Sequence, residues 1–280
     1  PHTGTIAHAA TSTDADYDGV SISNVTAAIT DNDAGGSIIY VDVDATGAGT
    51  GASWTDAYTD LQSALGAAGT GDQIWVAEGQ YLPTTGTDRS ISFQLVANTS
   101  IHGGFSGVET MVSESDPALY PTILSGDIGV AADQSDNSYH VLVGANGTLV
   151  EGFTIRDGHA NPPTTTSQDN TNGSKTDNQY LGPLAASFLG TYYDVQCGGG
   201  LMCLGVTSIV VRKCKFSYSR ADYAGGALYV RNTDIDIYDT SFTNNVAGSW
   251  GGAAFTTDNS TVWLEEVMFG SNSAAKGGGA

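Results

Sequence analysis

Short runs of alternating apolar and polar residues, rich in β-branched and aromatic side chains and separated by Gly, Asn, Asp and Ser, recur across residues 198–280. Glycine pairs mark the period: GGLMCL at 199–204, GGALYV at 225–230 and GGAAFT at 251–256, with GGGA at 277–280. Between them CKFSYSRA, TSFTNNVA and VMFGSNSA place Phe216, Phe242 and Phe269 in equivalent positions. Gly199 to Gly225 is 26 residues, as are Gly225 to Gly251 and Phe216 to Phe242, and Phe242 to Phe269 is 27. A period of this size means a solenoid, a propeller or an array, and the lack of any apolar stripe at helical spacing removes the helical repeats. At about 3.3 Å per strand residue, one unit makes one three-sided coil, and coils stack as parallel strands about 4.8 Å apart. The pattern predicts an all-β chain wound as a right-handed parallel β-helix.

A stacked solenoid puts like residues above like. Aligned on the phenylalanines, Ile209, Ile235 and Val262 form one ladder, Val211, Ile237 and Leu264 a second, and Cys214, Thr240 and Val267 a third, all predicted to face inward. Parity slips by one at Arg212-Lys213, Tyr238-Asp239 and Glu265-Glu266. That slip predicts a corner with both side chains outside and Lys213 placed to pair with Asp239 across one rung.

Upstream the pattern is less regular. Residues 1–36 hold two alternating strands joined by an acidic turn and closing on Asp31-Asn32-Asp33. Two strands bury too little surface to stand alone, so they are expected to pack on the β-helix or to add to a sheet of a neighbouring molecule. From Ser37 the composition changes, and the β-helix is taken as 37–280, with its regular repeats over 198–280. In SWTDAYTDLQSALGAAGTGD, Thr55 or Asp56 can cap a helix over about 56–68 whose Leu61, Ala64, Leu65 and Ala68 share one face. Such a helix suits the strand edges at the open end of a β-helix. Residues 159–197 interrupt the rhythm with a polar, turn-rich stretch followed by LGPLAASFLGTYYDVQC. An insertion of that length either covers one face of the solenoid or meets a glycan or protein through Tyr180, Phe188, Tyr192 and Tyr193.

The ordered series YVDVDATG, SWTDAYTDLQSAL, GDQIWVAEGQYLPT, SIHGGFSGVET, TILSGDI, NSYHVLVG and LVEGFTIRDG resembles the amino-terminal part of bacterial secreted right-handed β-helix repeat proteins. The later GGA and FxxN units are similar to repeats of the polymorphic outer-membrane adhesins. FxxN is matched by Phe242-Asn245 and Phe269-Asn272, whereas Ser219 stands in the Asn place after Phe216. The first two strands look like the final hairpin of a Calx-beta or related immunoglobulin-like repeat. The resemblance covers residues 37–280 and implies an extracellular structural or adhesive protein of a bacterial cell surface. That family also contains polysaccharide-active members, so a carbohydrate-active enzyme or a glycan-binding module is the rival expectation.

Charge narrows the partners. Thirty acidic residues against nine basic ones give a net charge of -21. Nucleic acid is excluded, because phosphate binding needs clustered Lys and Arg. Such acidity suits a secreted protein in a salty or calcium-containing medium. No apolar run approaches the roughly 18 residues of a membrane-spanning helix. Cys197, Cys203 and Cys214 lack metal-ligand spacing and read either as small buried apolar residues or as containing one disulfide. The chain opens on Pro1 and stops at Ala280 just as a new coil begins, which predicts that both ends continue into something longer. With the orphan hairpin, this leads to an expectation of end-to-end self-association into a fibre or sheath.

Candidate chemistry is sparse. Asp14-x-Asp16-x-Asp18-Gly19 opens like an EF-hand loop, but the twelfth position is Val25 where a bidentate Glu is required. Either the carboxylates cap backbone N–H groups of the turn, or calcium is held by Asp14, Asp16 and Asp18 with Asp31 and Asp33 among the further oxygens; Asp42 and Asp44 at the next junction carry the same two readings. Asp234 and Asp236 lie two residues apart on one strand face, about 7 Å from each other, with Trp263 one rung away. Paired carboxylates are what glycoside hydrolysis uses, yet no base and no third carboxylate joins these, so a solvated outer face competes with a ligand site. None of the five histidines has a Ser, Cys or Asp at catalytic spacing. No helix follows the glycine pairs, so they are not phosphate loops.

Overall fold

The computed structural model describes residues 2–6, 13, 25–29, 36–162 and 194–279. Contacts divide the chain after Gly35. In the first unit His2–Ile6 pairs antiparallel with Val25–Ile29, from His2 opposite Ile29 to Ile6 opposite Val25. The second unit is a right-handed parallel β-helix whose strands fall into four parallel stacks of seven, six, five and four. One regular coil runs through Leu228–Arg231, Asp234–Tyr238, Ser241–Thr243 and Val246–Ala247, one strand in each stack. The coil is therefore four-laddered where the period alone suggested three sides. The fourth ladder is only two residues deep, too short to announce itself as a strand in sequence.

The interior is a set of columns. On the first face Ile39, Ile74, Ile101, Val150, Val211 and Ile237 lie rung upon rung and are all buried. On the second face Phe216 stacks on Phe242 at 4.8 Å and Phe242 on Phe269 at 5.2 Å, with rings 8° and 12° from parallel. Burial contributes roughly 1.5–3 kcal/mol for each of Phe216 and Phe242, which are fully buried, and stacking adds about 0.5–1.5 kcal/mol per pair of rings. Asn245, wholly buried, runs its own ladder beside them. Its Nδ2 donates to the Phe216 carbonyl and to Asn272 Oδ1, each at 3.0 Å, while its Oδ1 accepts from the Ser219 N–H at 3.0 Å. The FxxN spacing thus places a ring and an amide at two adjacent internal columns. At the last described coil the interior is open: Leu264 is 47% exposed and Phe269 39%.

Corners explain the slips in parity. Lys213, Asp239 and Glu266 share a corner with Gly152, and all four have positive φ. A left-handed residue turns the strand without consuming a buried position. Lys213 does not meet Asp239 as expected: its Nζ lies 3.0 Å from Glu151 Oε1, one coil earlier. Glu151 pairs in register with Arg212 and is buried, so its desolvated charge draws the cation in that direction.

The glycine pairs sit at another corner, with two separate requirements. Gly225 is left-handed at φ 61°, and a Cβ on Gly226 would fall 2.3 Å from the Gly252 carbonyl oxygen. In the preceding coil the equivalent pair is Gly198-Gly199, because Leu201 pairs with Leu228, so aligning Gly199 with Gly225 is one residue out. Leu204 pairs with Arg231 but Ile209 with Ile235, so the turn between them carries one extra residue and restores the phase.

The helix is Leu61–Ala67, shorter than 56–68, and its N-cap is Asp60, whose Oδ1 accepts from Ser63 N–H at 2.8 Å. Thr55 and Asp56 do not cap it. Asp56 accepts from Ala48 N–H at 2.8 Å instead, and Tyr58 bonds along the strand Ile38–Val41, which opens the β-helix, through Tyr58 N–H to Tyr40 O and Asp42 N–H to Tyr58 O, both 2.9 Å. Residues 51–58 therefore occupy that strand edge, and the helix buries Leu61, Ala64 and Leu65 behind it.

Candidate functional site

Inward-facing Ile235 and Ile237 turn the alternate residues Asp234 and Asp236 to the outer surface of the first face. In register, Asp236 lies between Val210 and Trp263, and Asp234 beside Thr261. Asp234 is exposed, Asp236 half-buried, and the Trp263 indole 59% exposed. Among the described residues neither carboxylate enters an ion pair. The three residues make an open ledge with a flat aromatic surface and two carboxylates.

The next outer column of the same face reads Tyr40, Trp75, His102, Glu151, Arg212, Tyr238, Glu265. Glu151 is the charged centre. Its Oε2 meets His102 Nδ1 at 3.0 Å and Arg212 Nη2 at 2.8 Å, and its Oε1 meets Lys213 Nζ at 3.0 Å. Burial alone would raise its pKa, but hydrogen bonds from His102, Arg212 and Lys213 outweigh that and hold the carboxyl well below its usual range. A carboxylate committed to three donors is a fastening between coils rather than a general acid. The partner of His102 is not legible in sequence because Glu151 is 49 residues away; the stack brings them into register on adjacent coils.

A second constellation was not legible as a motif. The ends of Thr122–Ser125, Phe153–Arg156 and Lys215–Ser217, three strands stacked in consecutive coils, open onto a hollow of about 250 Å³. Asp127, Gln134, Asn137, Arg156, Asp157 and Tyr218 line it. Asp157 and Tyr218 stand at one corner, both left-handed (φ 61° and 56°). Asp127 accepts from Ala132 N–H with both oxygens at 3.0 Å, folding the 127–138 loop back on itself. Arg220 Nη1 donates to Gln134 Oε1 at 2.8 Å, Arg89 Nε to the Asn137 carbonyl at 2.6 Å, and Arg156 pairs with Asp157. Burial lowers the pKa of both Arg89 and His159, the latter bonded through Nδ1 to the Gln134 carbonyl at 2.8 Å. The available signal was compositional: a polar loop, DIGVAADQSDNS, between two strands.

Asp14, Asp16, Asp18, Asp31 and Asp33 lie outside the described residues, as do Tyr180, Phe188, Tyr192 and Tyr193. Asp42 is described and accepts from Asp44 N–H at 2.9 Å. Among the described residues no three His, Cys, Asp or Glu side chains are grouped so as to hold a metal ion, and no helix is long and apolar enough to cross a membrane. Cys197, Cys203 and Cys214 are buried thiols that form no disulfide with one another, with burial pushing the Cys203 and Cys214 thiols up to about 12.

No protein-family model matches the chain, and no curated protein matches it. Among solved structures it is similar to an iota-carrageenase complexed to iota-carrageenan fragments, at 13% identity and a TM-score of 0.25. That match covers 79% of this chain and 57% of the other, so the chain spans a little over half the length of that structure.

Proposed function

We propose that this chain is a non-catalytic structural and adhesive solenoid working outside the cell, at a bacterial surface. The observation that carries the reading is which residues repeat. Phe216, Phe242 and Phe269 recur in the interior, Asn245 and Asn272 beside them, and the glycine pairs at a backbone crossing. Outer positions do not recur: Val210, Asp236 and Trp263 share one column, and Arg212, Tyr238 and Glu265 another. Repetition is spent on the stack, which gives rigidity and length, as in other solenoids. The outer faces stay free to differ.

A specific observation favours a second reading, a glycan-active face: the exposed Trp263 ring beside Asp236. Incubation with neutral and acidic polysaccharides separates the two, with reducing ends and unsaturated products as the readout. Retention without turnover supports the scaffold; turnover abolished by Asp236→Asn would replace it with the enzyme. Calcium at the acidic turn and association of copies into a fibre belong to the same proposal. Their checks are a chelator-sensitive melting temperature and electron microscopy of the chain with and without residues 1–34.

A further inference from the structure

We infer that the hollow at Asp127, Gln134, Asn137, Arg156, Asp157 and Tyr218 binds one neutral pyranose unit of a glycan. The inference deepens the adhesive reading and rests on it in one respect, that the bound sugar is not cleaved.

Size comes first. About 250 Å³ lies just under the roughly 300–1,000 Å³ of sites for drug-sized ligands, room for a single sugar ring but not for a chain laid lengthwise. Chemistry comes second. Two carboxylates accept from neighbouring hydroxyls, the Arg156 guanidinium and the Gln134 amide N–H donate, and the Tyr218 ring, 53% exposed, offers an apolar plane to the C–H face of a pyranose. Two Asp against one Arg in the lining, on a chain of net charge -21, disfavour a uronate or a sulfated sugar. An apolar ligand would strip water from charged walls with nothing in return.

An independent observation points to a ligand at this place. Asn137 is 3% exposed, its Nδ2 is committed to the Asp157 carbonyl at 2.6 Å, and its Oδ1 is buried with no partner among the described residues. Asp136 Oδ1 and Ser138 Oγ, on either side of it, are in the same condition. Buried acceptors are ordinarily satisfied, and of these three Asn137 belongs to the lining of the hollow, where an unsatisfied amide oxygen fits a site completed by a hydroxyl donor. The wall is fixed in advance by Arg89, Arg220 and the Ala132 N–H, so little ordering remains to be done on binding.

The test is saturation-transfer NMR and calorimetry on the full chain with the methyl glycosides of glucose, galactose and mannose, and with methyl galacturonate. At least one neutral glycoside is expected to bind with Kd on the order of 1 mM, with the galacturonate at least about tenfold weaker. Tyr218→Asn tolerates the left-handed backbone and removes the ring; it should weaken binding about tenfold or more while the melting temperature holds. Asp127→Asn should weaken it too, and Asp236→Asn on the other face should not. Failure of every neutral glycoside to bind would overturn the site and leave the scaffold reading standing. Binding lost on Asp236→Asn but kept in Tyr218→Asn would also overturn it, moving the sugar to the first face. Binding followed by release of methanol would support the site and sink the non-catalytic reading.

Discussion

Replacing Asn245 by Ala isolates what the FxxN unit does. The side chain is wholly buried and makes three hydrogen bonds, to the Phe216 carbonyl, to Asn272 Oδ1 and from the Ser219 N–H. Asn272 Oδ1 keeps the Asn245 backbone N–H at 3.0 Å, so it is not orphaned by the change. The Ser219 N–H and the Phe216 carbonyl lose this partner inside the core. A buried polar group left unsatisfied costs about 1–3 kcal/mol, so the substitution should destabilise by about 3 kcal/mol, within a range of roughly 2–6. Asn245→Ser should cost less, since Ser219 already fills the equivalent place one coil earlier, wholly buried and with its hydroxyl on the Ser217 carbonyl at 3.5 Å. Solenoids depart from two-state unfolding, so global urea melts should be joined by native-state hydrogen exchange at the Ser219 amide. At about 1.4 kcal/mol per tenfold, its protection should fall roughly a hundredfold. Asn245→Ala melting within about 0.5 kcal/mol of the parent, with Ser219 protection unchanged, would refute the ladder as an energetic element.

Gly226→Ala should destabilise by roughly 3 kcal/mol or more, because the new Cβ meets only backbone, Gly252 O at 2.3 Å and Val246 O at 2.5 Å, and the coils must part; urea titration reads this directly. His140, fully buried with Nδ1 on the Gly198 carbonyl at 3.0 Å, has its pKa pulled from 6.5 to about 4 by burial. A depressed imidazolium pKa means that the unfolded chain takes the proton first, so stability should fall as pH drops from about 6.5 toward 4, and His140→Gln should flatten that stretch of the melting curve. Glu151, a carboxyl held below its usual range, stabilises above that range, and its contribution should be lost only as pH falls further; Glu151→Gln should remove this lower limb and leave the upper one. The cysteines should resist a thiol reagent in the native protein and all react after denaturation; labelling of the folded chain would contradict their burial.

Sequence alone settled the winding of the chain, because stacked coils reuse one chemical environment every turn. Phe216, Phe242 and Phe269 fall in one column as their spacing required, as do Ile209, Ile235 and Val262. Interior positions are legible for this reason: period and apolarity report the same fact twice. Corners are less so. An extra residue in the turn after Leu204 displaced the first glycine pair by one, and the Asp60 cap was hidden behind Asp56, an equally good capping residue that turns its carboxylate to Ala48. What only the tertiary structure decided is who meets across coils. Glu151 with His102, Arg212 and Lys213, and Asp127 with Asp157 and Tyr218, are separated by tens of residues and joined by a stacking register that polar outer residues do not encode. Outer side chains carry no period because water tolerates any of them. The outer positions at which a ligand site is proposed are for that reason the ones its repeats leave unannounced.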